Sequence, residues 1–326
     1  MDNFSLMQMS QPNEKLPNSA GVRAAAAKIA AILPPTPLLP VNLLEKTLWC
    51  KAESCQPTGA FKLRGAWHRL TELSAMQRAA GVVAFSSGNH AQGIAWAAHK
   101  LGISATIVMP IDAPAMKLAA TRALGAETIL YDRMSESREA IALAIATERG
   151  AVLVPSFDDP WVIEGQGSAG IEAEAQMGGP PDLVVTCCGG GGLAAGLALA
   201  FPGVPLVTVE PDGWDDMAQS LEAGTIIPVG AHPPPTCCDA LQTLRVSPLT
   251  FGVLRAHGAR GVAVSEEEIS AAMRFAFSTL TLTLEPGGAV ALAAVMAGKV
   301  TPTKRTLVIL SGGNVDPGLF ARILAG

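Results

Sequence analysis

The amino-acid sequence predicts an α/β protein made of two lobes, each a doubly wound open sheet. Short aliphatic runs of strand length alternate with helical stretches from Gly81 onward. Strands of this kind between helices indicate parallel sheets that are covered on both faces. The alternation falls into two groups, and a chain of 326 residues is long enough for two lobes.

The first group of predicted elements starts with a buried strand at 82–85, which is wholly apolar. The chain then alternates between alanine-rich stretches, which favour helix, and short β-branched runs, which favour strand. The predicted order is helix 91–101, strand 105–109, helix 115–124, strand 127–131, helix 136–148 and strand 151–154.

The second group repeats this pattern, and a proline-rich stretch interrupts it. The predicted order is strand 182–186, helix 193–200, strand 206–210, helix 214–222, irregular loop 228–235, helix 266–278, helix 288–297, strand 306–310 and a last helix after Asp316. Residues 1–20 are polar and are expected to form a flexible tail.

Composition narrows the class of protein. The net charge is −5 with both signs spread along the chain, which argues against a nucleic-acid or membrane-surface partner. The sequence carries no signal-peptide pattern, and its apolar stretches are too short to cross a bilayer. The six cysteines include two adjacent pairs and no CxxC spacing, so we expect a reduced cytoplasmic protein.

Lys62 is the first candidate for chemistry. It lies between Phe61 and Leu63, just after a Thr58-Gly59 turn. Lysine offers a primary amine that can form a Schiff base with an aldehyde cofactor, and partial desolvation lowers its pKa. A lysine beside a phenylalanine is more often a surface residue. The assignment therefore depends on other segments of the chain.

The glycine run Gly189, Gly190, Gly191 and Gly192 follows a predicted strand and opens a predicted helix. Backbone amides in such a run can approach a phosphate closely, and the helix N-terminus is positive. The same segment also satisfies the GxGxxA pattern of a dinucleotide fold, with Glu210 about twenty residues further on. On this segment alone, both interpretations stay open.

Two more segments directly follow predicted strands. Ser86-Ser-Gly-Asn-His-Ala-Gln-Gly93 places Ser87, Gly88, Asn89 and His90 at a helix N-terminus, where free amides can hold a carboxylate. An ordinary helix cap without a ligand is the alternative. Ser311 begins Ser-Gly-Gly-Asn-Val-Asp316 and follows the last strand, at the edge where ligands gather in open α/β sheets.

Together these four segments resemble the pyridoxal-phosphate enzymes of the tryptophan-synthase-beta type, in particular the branch of serine/threonine dehydratases and serine racemases. The resemblance runs from about Pro34 to the C-terminus. It implies a small mobile domain, residues 81–156, inserted into a large domain of residues 1–80 and 157–326, with the cofactor between them. Lys62 and Ser311 favour pyridoxal phosphate over a dinucleotide, because a nicotinamide enzyme uses neither residue in these contexts.

The resemblance also implies residue roles. Lys62 holds the cofactor and acts as the base, with Phe61 beside it. The glycine run 189–192 binds the phosphate, Asn89 contacts the 3-hydroxyl, and Ser311 contacts the pyridine nitrogen. Ser87 lies across the ring from Lys62. The substrate-binding residues implied are Ser86, Ser87, Gly88, Asn89 and His90.

A divalent-cation site is a further implication of the resemblance, over the segment 210–216. Two carboxylates, Glu210 and Asp216, and the backbone carbonyl of Trp214 are the ligands it implies. Hard oxygen ligands suit Mg²⁺, Ca²⁺ or Mn²⁺. A solvated acidic turn remains the alternative.

The activity that the resemblance implies is the dehydration of L-threonine or L-serine to a 2-oxo acid and ammonia. A hydroxyl at the ring nitrogen favours elimination over transamination. Alternatives are a dehydratase of 3-hydroxyaspartate or phenylserine, and a serine racemase. Two positions depart from the family pattern: Ala60 replaces a common serine, and Phe157 replaces the racemase branch's asparagine. We also expect a homo-oligomer, a dimer or tetramer, without a C-terminal regulatory domain.

Overall fold

The computed structural model describes residues 15–43, 45–86, 88–113 and 115–326. The strands are β1 Leu38–Leu43, β2 Lys46–Ala52, β3 Val82–Phe85, β4 Ala105–Pro110, β5 Glu127–Tyr131, β6 Val152–Leu153, β7 Leu183–Cys187, β8 Leu206–Pro211, β9 Arg260–Val264 and β10 Thr306–Leu310. The helices are α1 Ser19–Ala30, α2 Lys62–Thr71, α3 Ala75–Ala80, α4 Asn89–Leu101, α5 Ala115–Ala123, α6 Arg138–Arg149, α7 Pro160–Met177, α8 Gly192–Ala200, α9 Asp216–Ala223, α10 Pro248–His257, α11 Glu266–Leu280, α12 Pro286–Met296 and α13 Pro317–Ala325.

The larger sheet has six strands in the order β1-β2-β10-β7-β8-β9. The strands from β2 to β9 are parallel, and β1 pairs antiparallel with β2 at one edge. The last strand in the sequence, β10, therefore lies between β2 and β7. The carboxyl ends of β2, β10, β7 and β8 meet at one edge, which is where open α/β sheets place their ligands.

The smaller sheet has four parallel strands in the order β5-β4-β3-β6. We call this sheet with α4, α5 and α6 the small lobe, and the six-stranded sheet with its helices the large lobe. α2 connects the two, because its residues Leu63 and Leu70 belong to one apolar cluster with Val82, Ile94 and Ile107 of the small lobe. The helix that begins at Lys62 is thereby packed against the small lobe.

Close helix packing in the large lobe depends on glycine. A Cβ on Gly196 of α8 would lie 2.4 Å from the carbonyl oxygen of Ile163 in α7, and one on Gly167 would lie 2.4 Å from the carbonyl oxygen of Gly196. Both helices are therefore in backbone contact. α12 packs against strands of the larger sheet and is buried along most of its length. This burial explains why its sequence is apolar on every face.

The predicted α/β class with two open sheets is confirmed. Strands 82–85, 127–131 and 306–310 have the predicted bounds, and the irregular stretch 228–235 has no helix or strand. The elements that were not predicted are α1, β1, β2, α2, α3, α7, α10 and β9. Of the expected tail 1–20, residues 1–14 lie outside the described residues, whereas α1 begins at Ser19 and Lys15 forms an ion pair with Glu164. No helix among the described residues is long and apolar enough to cross a membrane.

Candidate active site

Lys62 is held at the ligand edge of the larger sheet by backbone contacts. The preceding residue, Phe61, donates its N–H to the carbonyl oxygen of Ser311 at 3.0 Å. Ala60 forms an antiparallel bridge with Gly312. These contacts join the segment that carries Lys62 to the carboxyl end of β10, so two distant parts of the sequence meet at one point.

The Lys62 amine is in a state suited to nucleophilic chemistry. Its Nζ donates to the carbonyl oxygen of Ser156 at 2.8 Å and lies 5.2 Å from the centre of the Phe61 ring. Burial lowers the pKa of Lys62 to about 8, against the opposing effect of Cys187 and Glu285. A larger fraction of this amine is therefore neutral at physiological pH than for a free lysine.

The glycine run opens α8 at the neighbouring strand end. Gly191 precedes the helix with φ +88°, and no side chain caps the helix among the described residues. A Cβ on Gly190 would lie 2.2 Å from the Phe157 ring, and Thr250 Oγ1 donates to the Gly190 carbonyl at 2.8 Å. The loop is thus held by Phe157 and Thr250 and leads into an uncapped helix N-terminus, a feature that suits phosphate binding.

The segment 86–90 begins α4 in the small lobe. Ser86 is half-buried and its Oγ accepts the N–H of Gly88 at 3.1 Å, while Gly88 precedes the helix without a side-chain cap. Ser87 lies outside the described residues. The His90 Nε2 contacts the carbonyl oxygen of Val154 at 2.9 Å.

His90 is a neutral ring in this setting. Burial, with the charge of Lys62, lowers the pKa of His90 to about 3. A neutral ring whose Nε2–H donates to Val154 leaves Nδ1 without a hydrogen, and Nδ1 has no hydrogen-bond partner among the described residues. We interpret His90 as a support for the start of α4.

Asn89 joins the two lobes through its side chain. Its Nδ2 donates to Glu285 Oε1 at 2.6 Å, and its Oδ1 accepts from Asn314 Nδ2 at 2.8 Å. Asn314 Nδ2 also donates to the carbonyl oxygen of Thr58 at 2.8 Å. Asn89 is therefore connected both to the segment before Lys62 and to the segment after Ser311.

Glu285 is a buried carboxyl group that the sequence motifs did not indicate. It precedes α12, its N–H donates to the Gly312 carbonyl oxygen at 3.0 Å, and its Oε2 has no partner among the described residues. Burial raises the pKa of Glu285 to about 7, and Asp239 adds to the rise while Lys117, Asn89 and Lys62 oppose it. This group changes charge near neutral pH, which is typical of functional sites.

Ser311 lies at the carboxyl end of β10 and is buried. Its Oγ accepts a hydrogen bond from Cys187 Sγ at 3.3 Å. The side of the cleft formed by the larger sheet therefore presents a hydroxyl at the end of its central strand.

Comparison with known proteins identifies the family. The family model for pyridoxal-phosphate-dependent enzymes matches residues 29–312. The chain is 38% identical to the serine racemase of Schizosaccharomyces pombe over 322 residues, 96% of this chain and 99% of the relative. It is 42% identical to an L-threo-3-hydroxyaspartate ammonia-lyase of Pseudomonas sp over 284 residues, 86% of this chain and 88% of the relative. The crystal structure of a T.th. threonine deaminase superposes with a TM-score of 0.84 at 42% identity, covering 92% of this chain and 99% of that chain.

The chain is a pyridoxal-phosphate-dependent enzyme. The tryptophan-synthase-beta-like fold expected from the resemblance is confirmed by these structural neighbours. The cofactor is the one that the sequence motifs indicated, and the family match does not support the dinucleotide interpretation of the glycine run.

The residues of this pyridoxal-phosphate-dependent enzyme fit the cofactor chemically. An aldehyde needs an amine of lowered pKa, which Lys62 has. A phosphate needs a helix N-terminus whose positive end stays uncapped, which α8 supplies after Gly191. A ring nitrogen needs a hydrogen-bonding group within the cleft, and Ser311 has a buried hydroxyl there.

The carboxylates of the expected cation site are already engaged. Glu210 Oε1 accepts the N–H of Met217 at 3.1 Å and Oε2 accepts that of Ala218 at 2.9 Å, so Glu210 caps α9. Asp216 Oδ2 accepts the N–H of Val246 at 2.8 Å, whereas its Oδ1 has no partner among the described residues.

The charge state of these two groups follows from their burial. Burial and the nearby Asp216 raise the pKa of Glu210, and burial raises the pKa of Asp216 to about 7. Trp214 directs its Nε1 to the Pro234 carbonyl oxygen at 2.8 Å. No group of three or more His, Cys, Asp or Glu side chains among the described residues could hold a metal ion.

Four features of the enzyme's site lay beyond the sequence motifs. In the sequence, Glu285 is marked by the proline that follows it at the start of a helix. This pattern is too common to indicate a functional residue. Phe157 was noted only as a departure from a family pattern, and its packing against the glycine run was not foreseen. Cys187 belongs to one of the adjacent cysteine pairs, and no sequence motif indicates its contact with Ser311. The ion pair between Lys117 of α5 and Asp239, 2.7 Å apart, joins the two lobes.

Proposed function

We propose that the enzyme is a lyase that removes water from a β-hydroxy amino acid and yields a 2-oxo acid and ammonia, with L-threonine and L-serine as substrates. The observation that carries this proposal is that an amine of lowered pKa, Lys62, and a hydroxyl, Ser311, lie at the same end of β10. The N–H of Phe61, next to Lys62, donates to the Ser311 carbonyl oxygen there. The named activities of the L-threo-3-hydroxyaspartate ammonia-lyase and of the threonine deaminase support the same reaction class.

In this proposal each element of the enzyme has a defined role. Bound pyridoxal phosphate supplies the electron sink for breaking the bond to the substrate's α-hydrogen. The amides of Gly189, Gly190, Gly191 and Gly192, with the positive end of α8, bind the phosphate. The N-terminus of α4 at Gly88 and Asn89 binds the substrate carboxylate. Lys62 Nζ, in its neutral form, accepts the α-proton as general base.

The remaining assignments concern groups around the cofactor ring. Asn89 contacts the 3-hydroxyl, Phe61 packs beside the cofactor, and Ser311 Oγ meets the ring nitrogen. A hydroxyl would leave that nitrogen largely unprotonated and the ring a weaker electron sink, which would favour elimination over transamination. Ser86, Ser87 and the backbone of His90 complete the substrate contacts in this proposal.

The proposed domain division places residues 81–156 in a small mobile domain and residues 1–80 and 157–326 in the large domain. The four-stranded sheet lies wholly between Val82 and Leu153, which supports this division. The substrate would bind between the lobes, where Asn89 and Lys117 of the small lobe contact Glu285 and Asp239 of the large lobe. A cytoplasmic dimer or tetramer is part of the same proposal.

The test of the lyase assignment is keto-acid and ammonia release from a panel of L-threonine, L-serine, 3-hydroxyaspartate and phenylserine. Lys62→Ala is expected to abolish release while the melting temperature stays near that of the wild type, because the variant loses both the cofactor anchor and the base. Lys304→Ala, a change at an exposed lysine, is the matched control and should keep full activity. Turnover of Lys62→Ala within tenfold of wild type would contradict the assignment of Lys62.

Serine racemisation is the second candidate function. The 38% identity to a serine racemase over 96% of this chain favours it. Phe157, which packs against Gly190, favours elimination, since the racemase branch carries asparagine there. Chiral chromatography of L-serine after incubation, with pyruvate measured in parallel, separates the two. D-serine that forms faster than pyruvate would assign the enzyme to the racemase branch, with Ser87 as the candidate second acid.

A divalent cation at Glu210, Asp216 and the Trp214 carbonyl is also proposed. The unpartnered Asp216 Oδ1 and two adjacent buried carboxyl groups support it, since Mg²⁺, Ca²⁺ or Mn²⁺ would compensate their charge. A cation that binds only the folded state raises the melting temperature by mass action. Chelator should lower the wild-type melting temperature by a few degrees and leave Glu210→Ala unaffected. If chelator changes neither the melting temperature nor the rate of wild type, the segment is an acidic turn.

A further inference from the structure

Cys187 and Ser311 lie side by side at the ligand edge of the larger sheet. β7 and β10 are adjacent and parallel, with Leu183 paired to Thr306, so the end of β7 at Cys187 and the residue after β10 reach the same level. Cys187 Sγ donates to Ser311 Oγ at 3.3 Å. Cys187 is 5% exposed and Ser311 is 4% exposed. Both side chains of this contact are therefore buried, so competition from water is weak.

The Cys187 thiol keeps its hydrogen in this environment. Burial raises the pKa of Cys187, against the opposing effects of the Ser311 hydrogen bond and of the Lys62 charge. A protonated thiol is a hydrogen-bond donor, whereas a thiolate is not. The sulfur therefore offers its hydrogen to Ser311 Oγ.

The geometry restricts the Ser311 hydroxyl. A hydroxyl has one hydrogen to donate and two lone pairs to accept with, and its hydrogen rotates to suit its partners. Because the thiol hydrogen occupies one lone pair of Ser311 Oγ, the Ser311 hydrogen cannot point toward Cys187. It is left free for another partner on the side of Lys62, whose neighbour Phe61 donates its N–H to the Ser311 carbonyl oxygen and whose charge acts on Cys187.

We propose that Cys187 is a positioning residue, whose thiol orients the Ser311 hydroxyl so that Ser311 donates its hydrogen to the ring nitrogen of pyridoxal phosphate. This inference rests on the role proposed above for Ser311. Cys187 itself does not touch the cofactor or the substrate. Ser311 Oγ could face the ring nitrogen either with its hydrogen or with a lone pair. The hydrogen bond from Cys187 selects the first arrangement, in which Ser311 is the donor.

The test uses enzyme loaded with pyridoxal phosphate and compares Cys187→Ala, Cys187→Ser and Ser311→Ala. The absorbance maximum of the bound cofactor reports the hydrogen bond at the ring nitrogen, and fluorescence titration gives the cofactor dissociation constant. Cys187→Ala should raise that constant about twofold to fivefold, as expected for one modest hydrogen bond. It should also shift the absorbance maximum in the same direction as Ser311→Ala, by a smaller amount.

Cys187→Ser restores a donor at the same position, so its spectrum and dissociation constant should return close to those of wild type. Cys50→Ala removes another buried thiol from β2, and is the control for a change in core volume. It should leave both readouts unchanged. If the role of Cys187 were purely structural, the spectrum and dissociation constant of Cys187→Ser would be no closer to those of wild type than those of Cys187→Ala.

The proposal is overturned if Cys187→Ala leaves the absorbance maximum and the dissociation constant as in wild type, or if the serine variant fails to restore them. Should Cys187→Ala not fold, Cys187→Val, which also lacks a donor and is closer to cysteine in volume, takes its place in the comparison. The outcome is separate from that of the proposed reaction. Spectral shifts in an enzyme that releases no 2-oxo acid would keep Cys187 in its role and reject the lyase assignment.

Discussion

At the scale of single residues, the site pairs two groups whose pKa values are shifted toward neutrality from opposite sides. Burial lowers the pKa of the Lys62 amine to about 8 and raises the pKa of the Glu285 carboxyl to about 7. Lys62 could be predicted because its neighbours in the sequence form a motif. Glu285 could not, because its burial and its partner Asn89 come from segments far away in the chain.

The first prediction concerns Glu285→Gln in the cofactor-free protein. The folded-state pKa of Glu285 lies above its ordinary value, so the folded protein binds more protons than the unfolded chain between about pH 4.5 and 7. The contribution of Glu285 to stability is therefore lost as the pH rises through this window. Glutamine, which stays neutral, should stabilise the fold at pH 8 by on the order of 2 kcal/mol and have little effect at pH 4.5.

Thermal melts of both proteins across this pH range check the prediction. Glu268→Gln provides a control of opposite sign: burial would raise the pKa of Glu268, but Lys299 and the Ser265 N–H outweigh it and hold that pKa low. That variant should lose a little stability at neutral pH. A gain for Glu285→Gln that is the same at pH 4.5 and pH 8 would show that Glu285 does not change its charge in this window.

At the scale of elements, the site is built from helix N-termini that follow strands. α4 and α8 both begin without a side-chain cap, after Gly88 and Gly191. This arrangement could be predicted, because glycine-rich segments between a strand and a helix are visible in the sequence. α7 was missed for a physical reason: its glycines lower helix propensity, and the reason for them is contact with other helices. A Cβ on Gly165 would lie 2.6 Å from the Cα of Gly65 in α2.

The second prediction tests the glycine run by Gly191→Ala. Gly191 has φ +88°, and a Cβ there would lie 2.8 Å from the Met217 methyl and 3.0 Å from Thr250. We expect a loss of stability of about 1–2 kcal/mol from the left-handed backbone. We also expect a tenfold or greater rise in the cofactor dissociation constant, because the amides of the loop would move.

Gly203→Ala is the matched control for this change. Gly203 has φ +79° with nothing within 4 Å of a Cβ, and it lies in a turn after α8. It should lose similar stability and bind the cofactor as tightly as wild type. Fluorescence titration and thermal melts give both quantities, and equal cofactor affinity for the two variants would reject the phosphate-binding role of the run.

At the scale of the whole molecule, a few polar contacts join the small lobe to the large lobe, in addition to the apolar cluster that packs α2 against the small lobe. Asn89 contacts Glu285 and Asn314, and Lys117 pairs with Asp239. Lys117 Nζ also lies 3.7 Å from the place that a Cβ on Gly88 would take. The two sheets could be predicted from periodicity, but these contacts could not, because each joins residues that only the packing of the lobes brings together.

The third prediction concerns Asp239→Asn. The ion pair is partly exposed, with side-chain exposures of 14% for Lys117 and 56% for Asp239, so its effect is expected to be modest. We expect this contact to hold the lobes together over the bound substrate, so loss of the pair should raise KM for the amino acid about twofold to fivefold and change kcat less. Added salt should raise KM of wild type toward that of the variant.

Asp112→Asn removes an ion pair with Arg133 that lies within the small lobe, and it serves as the control. Its KM should equal that of wild type at every salt concentration. Steady-state kinetics in low and high salt give the comparison. The assignment of Lys117 and Asp239 to cleft closure does not hold if Asp239→Asn and Asp112→Asn behave alike.

The position of β10 between β2 and β7 has a consequence for synthesis of the chain on the ribosome. β10 is the last strand to leave the ribosome, yet it supplies the neighbour of both β2 and β7. The small lobe can assemble early because its strands are consecutive, as domains do during translation. The large sheet stays in two pieces with open edges until residues 306–310 emerge. A nascent chain arrested before that point carries Lys62 without the strand end that fixes it, so we expect it to bind the cofactor poorly.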